Sequence, residues 1–162
     1  MNNLPIVLAT LGFLVLPFGG CVQISGGSVE VSWVVHANGR AITDCSCSDP
    51  QIAKVRINLV GQGGAIQGTT PCAGQAKCEF ACQRQTGATP FDIPETTGDE
   101  QYAISVVAVG TEGQDLPQVQ APAPVLYSVV RGQPTEVEAF LLDAGCSTAC
   151  QGMNMTGVCA RP

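Results

Sequence analysis

Cys45-Ser46-Cys47 sets two thiols one residue apart, and a thiolate pair at that spacing is a soft donor set suited to Cu(I) or Zn²⁺. In an oxidising compartment the same spacing reads as two halves of two disulfides that reach different strands. The disulfide reading is preferred, because a thiolate metal site usually brings a second Cys or His pair at matching spacing. The one histidine, His36, is expected at the exposed end of the first strand. No metal is therefore assigned; a metal-handling or thiol-redox alternative would use Cys45 and Cys47, with Met153 and Met155 as further soft donors. A second soft cluster comprises Cys146, Cys150 and Cys159 with Met153 and Met155. Three cysteines cannot close among themselves, so at least one must reach the body of the protein or stay free. Asn154-Met155-Thr156 matches a glycosylation sequon and is read as chance. Asp92, Glu95, Asp99 and Glu100 could offer carboxylates to Ca²⁺, but their spacing is not that of an EF-hand loop, and a solvated acidic loop is expected.

Other chemistry is absent from the sequence. It holds no G-x-S-x-G elbow, P-loop, H-E-x-x-H or dinucleotide fingerprint. A Ser-His-Asp triad could use only His36, with nothing to nominate its partners. The close cysteine spacings are not the C-x-x-C of thioredoxins. Aromatic residues are 5% of the chain, too few for a sugar-stacking platform. A net charge of -6 excludes a basic nucleic-acid footprint. No catalytic residue and no cofactor follow from these residues.

Residues 4–18 form an uncharged, mostly apolar stretch that runs into the helix breakers Pro17, Gly19 and Gly20. It is short for a spanning helix, which needs ~20 apolar residues, and its length suits the apolar core of a signal peptide. Phe18-Gly19-Gly20-Cys21 resembles the lipobox of bacterial lipoproteins: a large apolar residue, two small ones, then cysteine. That resemblance implies that residues 1–20 are removed, and that Cys21 receives a diacylglycerol on sulfur and an acyl group on its new amine. Val22 stands where an Asp would retain such a protein at the inner membrane, so a lipid-anchored place at the outer membrane is implied. Of nine cysteines, eight then remain for disulfides: Cys45, Cys47, Cys72, Cys78, Cys82, Cys146, Cys150 and Cys159. An even number suits an exported disulfide protein, although the spacing selects no one connectivity.

The elements that must position these cysteines are strands. Val29, Val31, Trp33 and Val35 share one face of a period-two run, and Val55, Ile57 and Leu59 point one way with polar residues opposite. In residues 101–109 both faces are fairly apolar, which predicts a central strand. Residues 125–130 and 135–142 give two more, joined through Arg131-Gly132-Gln133-Pro134 as an expected hairpin. A short strand is expected near residues 78–83, and residues 61–71, 84–100 and 117–124 read as loops. The sum is an all-β fold, an antiparallel β-sandwich of about six to seven strands, disulfide-stapled, with a Cys-rich C-terminal tail.

Within this pattern, a Trp-bearing strand, a Cys-bearing loop and KVRINLVG resemble segments of predicted lipoproteins of Gram-negative bacteria. GDEQYAISVVAVGTEGQ resembles the strand-and-turn pattern of carboxypeptidase-regulatory and transthyretin-like sandwiches, with an immunoglobulin-like sandwich as the second resemblance. The expected organisation is a signal peptide over 1–20, a lipid anchor and tether over 21–28, the sandwich over 29–142 and the tail over 143–162. The expected function is a membrane-anchored, non-enzymatic structural or protein-interaction module, whose expected partner is the lipid bilayer through Cys21.

Overall fold

Alternation is strictest in β1 (Ser28–Ala37), where Val29, Val31, Trp33, Val35 and Ala37 all turn inward and are buried. The computed structural model describes residues 24–147. Nine further strands follow among them: β2 (Arg40–Ile42), β3 (Ser48–Asp49), β4 (Lys54–Gln62), β5 (Glu79–Ala81), β6 (Thr86–Ala88), β7 (Gln101–Val109), β8 (Val125–Tyr127), β9 (Pro134–Glu136) and β10 (Phe140–Cys146). The all-β class is as expected. The count exceeds six to seven because β2, β3 and β6 hold only two or three residues each, too few to show a period.

The strands form two sheets. One has β1 at its centre, with β6 and β9 along its first half and β2 and β10 along its second; β3 extends it beyond β10. The other runs β5-β4-β7-β8. The longest pairing is β4 with β7, antiparallel from Lys54↔Val109 to Gln62↔Gln101. β7 is thus flanked on both sides, as its two apolar faces predict. Val55, Ile57 and Leu59 of β4, and Tyr102, Ile104 and Val106 of β7, share one core with the inward side chains of β1 and with Phe140 and Leu142 of β10. Each such side chain contributes roughly 1.5–3 kcal/mol when fully buried, before entropy is counted.

Two expectations about the second half of the chain are corrected. The hairpin between residues 125–130 and 135–142 does not form. β8 pairs with β7, whereas β9 and β10 run parallel to β1 in the other sheet. The chain crosses between sheets at 128–133 because Thr96 captures Val129 on both sides: Val129 N donates to Thr96 Oγ1 at 3.0 Å, and Thr96 N donates to Val129 O at 2.9 Å. Val129 is fully buried there. The sandwich is therefore mostly but not wholly antiparallel.

Residues 135–142 are not one even strand either. Glu30 stands opposite Glu136, and Trp33 opposite Phe140. Val31 and Ser32 therefore face three residues, Val137, Glu138 and Ala139. That single extra residue is a bulge, and it resets the side-chain parity so that Val137, Phe140 and Leu142 are all buried. β10 then continues to Cys146, where β3 pairs with it through Cys146↔Ser48. The body thus extends past Leu142, the expected boundary of the tail.

Candidate functional site

The cysteine-bearing turns flank two short strands: Cys45–Cys47 directly precedes β3, and Cys78 and Cys82 bracket β5. Asp44 caps a 3-10 turn over Cys45–Cys47, accepting from Ser46 N at 2.9 Å and from Ser46 Oγ at 2.7 Å. Those two bonds, the side-chain one first, hold its carboxyl below the usual range. The turn closes on Ser48, whose buried hydroxyl lies 2.7 Å from Cys45 O and 2.9 Å from Pro50 O, and accepts from Ile52 N at 3.0 Å. Cys45 is bonded to Cys82, at the start of a second 3-10 turn, with Cα atoms 6.1 Å apart. Cys72 is bonded to Cys78 across a sequence separation of 6. Cys47 and Cys146 are disulfide-bonded as well.

Cys45 and Cys47 therefore serve two separate disulfides, and neither offers a thiolate in this state. Metal or redox chemistry at this pair would first require reduction. Among the described residues no group of three or more His, Cys, Asp or Glu side chains is arranged to hold a metal ion. Cys21, Cys150 and Cys159, together with Met153, Met155 and the sequon at Asn154, lie outside the described residues, as do residues 1–20.

His36 is not at an exposed strand end. It is half-buried within β1, between Ala41 of β2 and Asp143 of β10. The acidic stretch does not act as one cluster. Asp92 pairs with Lys77 at 2.6 Å, and Glu95 with Arg131 at 3.2 Å. Glu100 departs from the expected solvated loop: it is 5% exposed, and its carboxylate accepts from Ala65 N at 2.6 Å, Thr97 N at 2.8 Å and Thr97 Oγ1 at 2.9 Å. These bonds, led by the Thr97 amide, hold its carboxyl below the ordinary value of 4.5. Glu100 is a loop clasp, and the sequence signal for it was only its position directly before an apolar strand.

The segment leading into β1 is held more tightly than a tether. Gly26 N donates to Phe91 O at 3.0 Å, Gly27 N to Ile93 O at 2.9 Å, and Gly132 N to Gly26 O at 3.0 Å. Both glycines are buried. A Cβ on Gly26 would collide with Ile93 O, and one on Gly27 would stand 2.5 Å from Val130 O. The body thus begins at Gly26, inside the expected tether of 21–28. The close approach of two loops requires Gly26-Gly27, a pair that had no assigned role in the sequence.

Two shallow depressions open on the surface. One, of about 180 Å³, lies at the bulge beside Glu30, Thr86 and Glu136. The other, of about 310 Å³, is lined by Asn38, Gln118, Gln120 and Asp143. Both are polar and open, unlike the enclosed apolar pockets that bind small organic ligands. Among the described residues no helix is long and apolar enough to cross a membrane. These features define an all-β, disulfide-stapled two-sheet domain. Comparison of the chain with known protein families, curated proteins and solved structures gave no match.

Proposed function

We propose that the chain is a lipid-anchored, non-enzymatic module of the bacterial envelope, with a structural or protein-interaction role at the outer membrane. The observation that carries this reading is Phe18-Gly19-Gly20-Cys21, placed five residues before a body that begins at Gly26. The oxidised state of Cys45, Cys72, Cys78 and Cys82 supports export, since disulfides persist in oxidising compartments. The anchor is the acyl chains on Cys21. Two or more chains give stable attachment where one gives only marginal binding.

Intact-mass analysis of the full chain, expressed in a Gram-negative host and extracted from its membranes, tests the reading. The expected species begins at Cys21 and carries diacylglycerol plus an amide-linked acyl chain. Cys21→Ser is expected to abolish the added mass and to leave the leader attached. A mature N-terminus elsewhere, or no acyl mass, would overturn the proposal.

A further inference from the structure

We infer that the end of the domain carrying Ile24, Phe91 and Val130 rests against the lipid surface, so that the anchor holds the sandwich in one orientation. The inference builds on the proposed acylation of Cys21. Six large apolar side chains are exposed among the described residues, and three of them lie at this end: Ile24 at 50%, Phe91 at 38% and Val130 at 50%. The hydrogen bonds of Gly26 and Gly27 bring them together. Residues 26–27 run between the segment 91–93 on one side and the turn 130–133 on the other. Ile24 leans over that turn, with its Cγ2 4.0 Å from where a Cβ on Gly132 would stand.

What covers this end is argued from the length of the tether. Three peptide units separate Cys21 from Ile24, and a fully extended chain spans at most ~3.6 Å per residue, so the two Cα atoms lie within about 11 Å of each other. A lipidated Cys21 sits at the membrane surface, so Ile24 and its neighbours are held within reach of the interfacial region, which is about 5–8 Å deep on each side of the hydrocarbon core. Charge fits the same placement. The cations flanking the patch, Lys77 and Arg131, are each paired with a carboxylate, Asp92 and Glu95, so their charges are locally balanced. The remaining exposed apolar side chains lie elsewhere: Val60 and Leu126 lie on the β4–β7–β8 sheet and Leu141 on β10.

Hydroxyl-radical footprinting tests the placement on the full chain, processed by its host and reconstituted into vesicles of phosphatidylethanolamine and phosphatidylglycerol. Labelling of each residue is normalised to the same residue in the urea-unfolded chain. Leu126 and Leu141, at 55% and 45% exposed, are internal references of matching exposure. The expected result is severalfold lower labelling at Ile24, Phe91 and Val130 than at the references. Intact mass of the same vesicle fraction reads the anchor separately. Acylated protein with equal labelling at all five positions would overturn the orientation while leaving the anchor standing. Absence of acyl mass would overturn both. Protection that rises with protein density at fixed lipid would assign the face to a second copy of the chain and overturn the membrane placement.

Discussion

Trp33 Nε1 donates a hydrogen bond to the carbonyl oxygen of Cys82 at 2.9 Å. Trp33 belongs to the sheet centred on β1, and Cys82 N donates to the carbonyl of Ala53, the residue directly before β4 of the other sheet. One indole therefore joins the two layers at the point where the Cys45–Cys82 disulfide also holds them. Trp33→Phe keeps an apolar ring and removes the donor. The buried carbonyl would then lack its partner, which costs about 1–3 kcal/mol, and the smaller ring adds a packing loss. Urea denaturation followed by circular dichroism is expected to show a lower midpoint at unchanged slope. A change within about 0.5 kcal/mol, the range of ordinary surface substitutions, would show that the bond contributes nothing.

The two disulfides with defined partners should differ in worth. A cross-link restrains the unfolded chain more when it closes a longer loop. Cys45–Cys82 spans a separation of 37 and Cys72–Cys78 one of 6. The loop-entropy relation gives about 4 kcal/mol for the first and about 2 kcal/mol for the second. Paired Cys→Ala variants, compared by chemical denaturation, should keep that order. A larger loss from Cys72→Ala/Cys78→Ala would show that local geometry, and not loop closure, governs stability.

Glu100 predicts an acid-sensitive fold. Its carboxylate is favoured in the folded state by the Thr97 amide, the Thr97 hydroxyl and the Ala65 amide, so its folded pKa lies below 4.5. The stability it supplies is fully present above that ordinary value, and is lost as pH falls through the lowered folded value. Glu79, held down by Arg56 and then by Lys54, acts in the same direction. Unfolding free energies measured from pH 7 to pH 2 should fall more steeply in the native protein than in Glu100→Gln. The variant should start less stable at neutral pH and retain the part of the slope due to Glu79. Parallel curves would show that Glu100 is not the group that titrates.

The long strands were legible because each pairs a strict period of two with one buried face. Val29, Val31, Trp33 and Val35 are read correctly, as are Val55, Ile57 and Leu59, and Tyr102, Ile104 and Val106. What was not legible rests on contacts between distant segments. β6 owes its place to β1, and the crossing at Val129 owes its to Thr96, 33 residues away. One turn does carry a local signal: Asn38-Gly39, both at positive φ, make the two-residue turn between β1 and β2. At the candidate site, the disulfide role of Cys45 was readable from residue types. The patch of Ile24, Phe91 and Val130 was not, because a fold must first bring three separate segments to one end.

The bulge supplies a test in which two deletions of one residue have opposite outcomes. Ala139 is exposed and lies among the three residues that face Val31 and Ser32. Removing it leaves Val137 and Glu138 opposite that pair and lets β9 run on into β10 without an extra residue. Val137, Phe140 and Leu142 then fall on alternate positions of one continuous face, which is the inward one. Deletion of Leu141 acts differently, although that side chain is also exposed. It shifts Leu142 and Ala144 by one position relative to Phe140, and a shift of one residue turns every later side chain to the other face. Leu142 would then leave the core, a loss of about 2–5 kcal/mol if the site does not collapse, and Asp143 would turn inward. Deletion of Ala139 is therefore expected to yield a cooperatively folded protein with near-native amide protection in β1, and deletion of Leu141 a largely unfolded one. Hydrogen exchange across β1 distinguishes them, and equal loss of protection in both variants would show that the extra residue at 137–139 is required by the fold.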